Sequence, residues 1–470
     1  MARLPMLNLG SDKHVFTDTT LIDTNLGKNT KPGTLPAGLE ISVHAPTIYP
    51  TPILGSKMPW ETSFTSNGSV IEEEGYYRFY YECLPQGIRS NSIAVACIES
   101  EDGEHWVKPD FGIVEFNGSR QNNLVFDSNI AGRPVNTVSI FRDFIAETAR
   151  RFKLSYVSPS SDGDCVFTAI SDNGHQWNTS AIDAFKSEFL IHTIHTDLDT
   201  RQGKYVVFLN QDIHGLETIT RSESYSFDCW PSPEPVSKHA SWNQCGHLNS
   251  STAYAPWPDG DSYLMFITTG SNTIQMLTSR DGFAWGSKPK LPINNSGFLQ
   301  PGAIFSPCTG LFRSKNGDFS LIVAVTENPI TKPKIGANKL SDNYYIITWP
   351  EDGLMSLEAV NEGAIVTKPF IFTGETLNVN ASINQKGYIK FELIDATANQ
   401  TSYKEPIENR EFKDCDDLKA DKHNHLVTWS GESSLSKWSG RPVRLAIRMK
   451  KSRLHSLHFK KEIRSVTENY

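Results

Sequence analysis

The sequence predicts an all-β chain, a five-bladed β-propeller followed by a jelly-roll-like β-sandwich, and three observations carry that expectation. One short phrase occurs four times, as SEDGEHW at 100–106, SDNGHQW at 171–177, SESYSFDCW at 222–230 and SRDGFAW at 279–285. Each copy follows an apolar, β-branched or aromatic run, which puts the phrase on the turn after a strand. In such a turn an Asp or Asn side chain accepts backbone N–H groups, Gly supplies a positive φ, and the Trp folds back onto the sheet. Trp106, Trp177, Trp230 and Trp285 stand roughly 50 to 70 residues apart, about one four-stranded blade. Such turns belong at the outer edge of a blade, so Asp102, Asp172 and Asp281 are read as structural. The second observation is composition: 26 Pro, 32 Gly and 11% aromatics, with few strings of helix formers, favour strands. The third is a change of pattern near Gly353. There IVTKPFIF, TLNVNASIN, GYIKFELID, HLVTWSG, VRLAIRMK and LHSLHFK alternate apolar with polar residues between short turns, as a two-sheet sandwich requires.

Composition also excludes functions. A net charge of −8 and a pI near 5.9 argue against a nucleic-acid partner, which normally calls for a basic stripe. Lys450, Lys451, Arg453, Lys460 and Lys461 are read as a solvated basic tail. Seven cysteines without paired spacing make no disulfide framework, and neither CxxC nor HExxH is present, so no metal and no cofactor are expected. No signal peptide is visible at the N-terminus and no run is long enough to span a membrane. The expectation is a soluble chain, in the cytoplasm or secreted after removal of a leader, with its oligomeric state left open. The NxS/T triplets at Asn67, Asn117, Asn178, Asn249, Asn294, Asn380 and Asn399 are read as chance in a Ser/Asn-rich chain.

In chain order, residues 1 to about 45 hold the strand pattern HVFTDTTLID and a Gly/Pro-rich crossing, expected to form a strap that closes the ring. The propeller is expected over 46–352. Its first blade includes GSVI and YYRFYYEC, joined by EEEG, with the innermost strand around Pro59, Trp60 and Glu61. Blade two spans about 122–177, blade three about 185–230, and blade four ends at Trp285. The fifth keeps GAIFSPCTGLFRS, DFSLIVAVTEN and NYYIITW but lacks the phrase; a sixth would need more strands from the strap. The sandwich is expected over 353–470, with Phe370, Phe372, Leu377, Val379, Ile389, Phe391, Leu393, Val443, Leu445, Ile447, Leu457 and Phe459 as its core.

Two stretches carry a resemblance over nearly the whole chain. One is the order VFTDTTLID, MPWE, YYRFYYEC, SEDGEHWVKPDFGIVEFNGSRQNN, RRFKLSYV. The other is the ending TKPFIFTGETLNVN, GYIKFELIDA, DCDDL, VTWSGESSLSKWSGRPVRLAIRMKKSRLHSLHF. Together they resemble a family of bacterial propeller proteins assigned as glycoside hydrolases, distantly similar to the five-bladed clans of invertases, levansucrases and arabinanases. The resemblance implies a five-bladed propeller, a sandwich and carbohydrate chemistry, and names no substrate.

Glycoside hydrolysis needs two carboxyl groups flanking the scissile bond. In the resembled clans these come from inner strands of different blades. Glu61, in MPWE, is the first choice, with Trp60 beside it as a sugar platform; the alternative role is an ion pair in the channel. For the second carboxyl, Glu188, Asp212 and Glu327 are the candidates. The resemblance implies an acid near the start of blade three, where Glu188 fits with a shifted register. Asp127 and Asp143 are weaker, Asp143 lying in a turn. Arg133, Asn136, His192, His247 and Trp257 are expected to contact the sugar. His192 and His195, three apart on a strand, point to opposite faces, which argues against a metal and for a histidine that bonds a hydroxyl or tunes a carboxylate. His214 lies near the same strand ends, and Trp242 and Tyr254, with Trp257, are candidates for stacking surface, the alternative being inter-blade core. The expected function is a glycoside hydrolase acting on an oligo- or polysaccharide; the alternative is a propeller that binds carbohydrate without catalysis.

Overall fold

The computed structural model describes residues 6–24, 34–55, 57–73, 75–85, 92–236, 252–268, 273–287, 291–293, 299, 302–327, 334–335, 338–397, 406–418 and 424–461. The chain divides into two compact units. The larger is Ala45–Pro258 with Tyr263–Pro350; the smaller is Met1–His44, Asp259–Ser262 and Glu351–Tyr470. Short alternating segments punctuated by Gly, Asn and Asp turns make both units nearly all β.

The chain opens with β1 (Leu7–Gly10), β2 (Lys13–Val15) and β3 (Leu39–Val43), which belong to the smaller unit. The larger unit begins with β4 (Thr47–Ile48) and continues as four-stranded antiparallel meanders. The first sheet is β5 (Ser63–Glu73), β6 (Tyr76–Leu84), β7 (Ala94–Ser100) and β8 (Leu124–Phe126). One turn of helix, α1 (Ser128–Ala131), follows; Asp127 caps it, accepting from the Asn129 and Ile130 amides. The second sheet is β9 (Thr137–Arg142), β10 (Phe152–Ser160), β11 (Gly163–Ser171) and β12 (Asn178–Thr179), with β13 (Phe185–Ser187) also on β11. The third is β14 (Leu190–Asp199), β15 (Lys204–Ile213), β16 (Leu216–Ser224) and β17 (Glu234–Pro235). The fourth is β18 (Thr252–Pro256), β19 (Tyr263–Thr268), β20 (Thr273–Ser279) and β21 (Gly286–Ser287), with β22 (Leu291–Pro292) on β20. In the fifth, β23 (Ile304–Arg313) and β24 (Phe319–Thr326) precede the hairpin of β25 (Lys334–Ile335) and β26 (Asn338–Ser341). Its third strand is β27 (Asn343–Trp349), and the fourth is β4.

The leading strands of the five sheets touch in the cyclic order β5, β9, β14, β18, β23, and β23 returns to β5 through a parallel bridge between Thr309 and Ser69. Where these strands converge, polar side chains bond across the gap. Asn67 Nδ2 donates to Thr137 Oγ1 at 2.9 Å, the Thr196 amide donates to Ser139 Oγ at 2.9 Å, and Thr193 and Thr252 share a hydroxyl bond of 3.0 Å. His195 is buried between Thr252 and Thr309. Burial lowers its pKa to about 4, so the imidazole is neutral.

The repeated phrase does what its residues dictate. In the first copy the Ser100 hydroxyl accepts the Gly103 amide at 2.9 Å and Asp102 Oδ1 accepts the Glu104 and His105 amides at 2.8 and 2.7 Å. In the fourth copy Ser279 and Asp281 play the same parts. In the second the acceptor is Asn173, not Asp172, because the accepting side chain must stand immediately before the glycine. Gly103, Gly174 and Gly282 have φ of +78°, +79° and +77°, a region that favours glycine. The third copy lacks that glycine and turns on Ser224 instead, whose hydroxyl accepts from the Ser226 amide at 3.0 Å. The turns also latch neighbouring sheets together. Lys315, in the fifth sheet's hairpin, donates its amide to the Asp102 carbonyl at 3.2 Å, and Arg78 of the first sheet donates to the Asn173 carbonyl at 2.9 Å. The tryptophans wedge across the same seams, Trp106 against Phe79 and Phe312, Trp285 against Phe208 and Tyr254.

Two expected elements move. The innermost strand of the first sheet is β5, which contains GSVI; Pro59–Glu61 form the turn before it, since Pro cannot donate to a ladder. The stretch expected to be a strap supplies β1, β2 and β3 to the smaller unit, and the ring is closed by β4.

In the smaller unit, β28 (Met355–Val366), β29 (Phe370–Phe372), β30 (Thr376–Asp395), β31 (His425–Leu426) and β32 (Val443–Lys460) join β1, β2 and β3 in one sheet. TLNVNASIN and GYIKFELID are a single strand broken by a bulge between Ile383 and Tyr388. VRLAIRMK and LHSLHFK are likewise one strand, so the expected basic tail lies within β32 as far as Lys460. Every apolar position expected to form the core lies in one buried cluster, joined by Trp429 and Phe16. A buried ion pair, Arg444 to Asp23 at 2.8 Å, and another, Lys13 to Asp352 at 2.8 Å, tie the N-terminal stretch to the C-terminal strands.

Candidate functional site

Glu61 is fully buried. The turn over Pro59 and Trp60 folds its side chain back onto the chain, so that Oε2 accepts the Met58 amide at 2.8 Å and pairs with Lys108 Nζ at 2.7 Å. Oε1 accepts the Tyr81 hydroxyl at 2.5 Å. Tyr81 in turn accepts from Asn123 Nδ2, whose Oδ1 takes the Trp60 indole N–H at 2.8 Å. Trp60 stands edge-on to Phe116 at 6.0 Å. The MPWE motif therefore builds a satisfied buried network around an ion pair, with lysine as the cation.

The other sequence candidates fall in different places. Trp257 is 2% exposed and meets Phe319 edge-on, and Tyr254 stacks on Phe208, so both are packed in the core. Asp143 belongs to a turn, accepting the Ile145 and Ala146 amides and the Tyr205 hydroxyl. His214 is exposed in the β15–β16 turn at φ +55°, edge-on to Phe189. Glu327 is half-buried just past β24, its amide bonded to Asp342 Oδ2. Arg133 and Asn136 share the segment leading into β9; both are half-buried, and the Arg133 guanidinium lies 3.6 Å from the Phe167 ring centroid. His247 and Trp242 lie outside the described residues.

Strand register gathers Glu188 and Asp212 at one corner, with an acid that the sequence reading overlooked. Leu190 pairs with Asp212 across β14 and β15, and Asp164 pairs with Ser187 across β11 and β13. Gly163, at φ +124°, lets the β10–β11 turn press on the same spot: a Cβ there would stand 2.1 Å from the Ser187 carbonyl oxygen and 3.0 Å from the Glu188 Cα. Asp164 is 2% exposed. Its Oδ2 accepts the Ile191 amide at 2.7 Å, while Oδ1 has no partner among the described residues. Burial raises its pKa, against the pull of that amide and of nearby His192. Glu188 is exposed, and Asp212 accepts the Gly215 amide at 2.6 Å. A buried carboxyl with a raised pKa close to more exposed carboxyls is the kind of arrangement that general acid–base chemistry uses.

Two further carboxyls have raised pKa values. Glu82, wholly buried in β6, is pushed up to about 7 by burial although the Thr65 and Thr137 hydroxyls, the Asn67 amide and the Val138 backbone amide all donate to it. Asp197, half-buried in β14, is pushed to about 7 by burial and by Asp199 and Asp143. Among the described residues no His/Cys/Asp/Glu group has the geometry to hold a metal. Among the described residues no helix is long and apolar enough to cross a membrane. Asp164 was legible in principle: in SDGDCVF the turn needs only Asp162 and Gly163, which leaves the second Asp to the strand. Glu82, a charge inside the aromatic run YYRFYYEC, carried a similar signal.

No protein-family profile matches the sequence, and no curated protein does. Among solved structures the chain is similar to an exo-inulinase from Aspergillus awamori, at 12% identity over 86% of this chain and 97% of that one, with a TM-score of 0.40. It is similar also to a β-fructofuranosidase from Schwanniomyces occidentalis, at 10% identity over 87% and 96%, TM-score 0.42. A third is a glycoside hydrolase family 43 arabinoxylan arabinofuranohydrolase from Bacillus subtilis, at 10% identity over 87% and 98%, TM-score 0.38. These neighbours are glycoside hydrolases.

Proposed function

We propose that the larger unit is a five-bladed β-propeller acting as a glycoside hydrolase on an oligo- or polysaccharide, with the smaller unit as an accessory β-sandwich. The sugar is taken at the corner of the second and third sheets. One observation carries the reading: Asp164, buried with a raised pKa and an oxygen without a partner among the described residues, pairs with Ser187, the neighbour of Glu188, while Asp212 pairs with Leu190 two residues further on. Asp164 supplies the proton to the leaving oxygen, and Glu188 or Asp212 serves as base or nucleophile. Arg133 and Asn136, on the segment entering β9, are assigned to sugar contact. Glu327 keeps a lesser claim as the second carboxyl.

A second reading, carbohydrate binding without catalysis, is favoured by the state of Glu61, whose two oxygens are already committed to Lys108, Tyr81 and the Met58 amide. Screening the full chain against aryl glycosides and plant and marine polysaccharides decides between them. Under the hydrolase reading, Asp164→Asn lowers turnover by at least about 10²-fold, the usual scale for a positioned proton donor, while sugar binding persists. Binding without turnover on any substrate, or an Asp164→Asn variant as active as the wild type, would reject the assigned chemistry.

A further inference from the structure

We propose that the smaller unit carries a cleft for an acidic glycan, a chain bearing sulfate esters or carboxylates. The cleft has a volume of about 690 Å³, and its lining includes four cations, Lys386, Lys390, Lys413 and Arg448, against one carboxylate, Asp417. The chain as a whole carries −8, so this concentration of positive charge runs against its surroundings. Lys390 and Arg448 are direct cross-strand partners on β30 and β32, a placement in which like charges repel. Two of the cations are compensated, Lys390 by Asp417 at 2.6 Å and by the Cys415 carbonyl at 2.5 Å, and Lys413 by Glu411 at 2.9 Å. Arg448 is not: it is exposed, lies 4.3 Å from the Phe412 ring centroid, and has no carboxylate partner among the described residues. Lys386 is likewise exposed and unpaired among them.

The backbone holds this arrangement in place. Lys386 takes φ +63° in the β30 bulge, and Gly387 follows it where a Cβ would stand 2.6 Å from the carbonyl oxygens of Lys450 and Lys451. A side chain at 387 would press on those carbonyls, so the glycine lets the bulge close there, with Lys386 at the rim. Tyr388 and Phe412 add half-buried rings to the wall, flat apolar faces suited to the C–H face of a pyranose. An inorganic anion would use the cations and not the rings. A nucleic acid would need a longer basic stripe than this local cluster. The volume lies in the usual range for a cleft that encloses a small ligand or a short piece of a chain, about 300 to 1,000 Å³.

The inference does not rest on the hydrolase reading, since it concerns other residues and its test reads binding. Calorimetry on the full chain with dextran sulfate, polygalacturonate and unmodified dextran separates the sources of charge. Binding of either acidic polymer but not of dextran is expected, and which one binds names the anionic group. Raising the salt from about 0.05 to about 0.5 M NaCl weakens that binding at least tenfold. The double variant Lys386→Ala/Arg448→Ala, which changes two exposed side chains and leaves the thermal midpoint in place, lowers affinity at least about tenfold. The proposal is overturned if neither acidic polymer binds, if the double variant binds as the wild type does, or if an oligothymidylate binds as tightly as the glycan. Full displacement by millimolar inorganic sulfate would overturn it too, as an adventitious ion only.

Discussion

Replacing Glu61 by Gln removes the negative partner of Lys108 from a site that water does not reach. The cost is expected at about 2 to 3 kcal/mol, below the usual figure for a fully buried pair because the Lys108 side chain is 14% exposed,. Denaturant unfolding of the variant measures it, and an unchanged midpoint would deny the pair its role. Glu82 makes a pH-dependent prediction. Its folded pKa, about 7, lies above the ordinary 4.5, so its contribution is complete below about pH 4.5 and is lost as pH rises through 7. Glu82→Gln cannot titrate. Between pH 5 and pH 8 its stability relative to wild type should shift in the variant's favour by about 1 to 3 kcal/mol; an equal difference at both pH values would show that folding does not raise the Glu82 pKa. At this scale the sequence was a mixed guide. It marked Glu61 and Trp60 as special, and they are, as members of a buried network. Their role was hidden because Lys108 and Asn123 lie about 50 and 60 residues away, and nothing local announces such partners.

The repeated phrase was the most legible element, because its hydrogen bonds close within four residues. Asn173→Ala should cost about 1 to 2 kcal/mol by stranding the His175 and Gln176 amides, whereas Asp172→Ala, one position earlier, should leave the melting temperature unchanged. The pair of variants, measured by thermal unfolding, tests which residue makes the turn. Trp285→Ala should cost about 2 to 4 kcal/mol, since its ring is half-buried between Phe208 and Tyr254 and its loss opens a seam between the third and fourth sheets,. Strand identity in the C-terminal unit was equally readable, because alternation there is strict. Strand continuity was not: a bulge reads in sequence as a turn, so β30 and β32 looked like four strands.

At the scale of the molecule, contacts between the two ends of the chain decide what folds alone. A chain cut after Asp352 keeps β1, β2 and β3 but removes β29, β32 and β28, their pairing partners. It should therefore be less soluble than a chain of residues 45–350, which carries all of the ring and none of those orphaned strands,. Circular dichroism and size-exclusion chromatography of the two fragments check this; the reverse ranking would mean that the N-terminal strands belong with the ring. Sequence order alone suggested a strap around the propeller, because the partners of β1–β3 stand more than 300 residues downstream. The same connectivity sets a timetable. The strand that completes the fifth sheet, β4, leaves the ribosome before the rest of the ring exists and waits for β27, some 300 residues later. At ordinary rates of synthesis that is about 15 to 60 s. During that interval β4 is a free strand edge, as are β1–β3 made before it, and whatever shields it in the cell has to let go when β27 emerges.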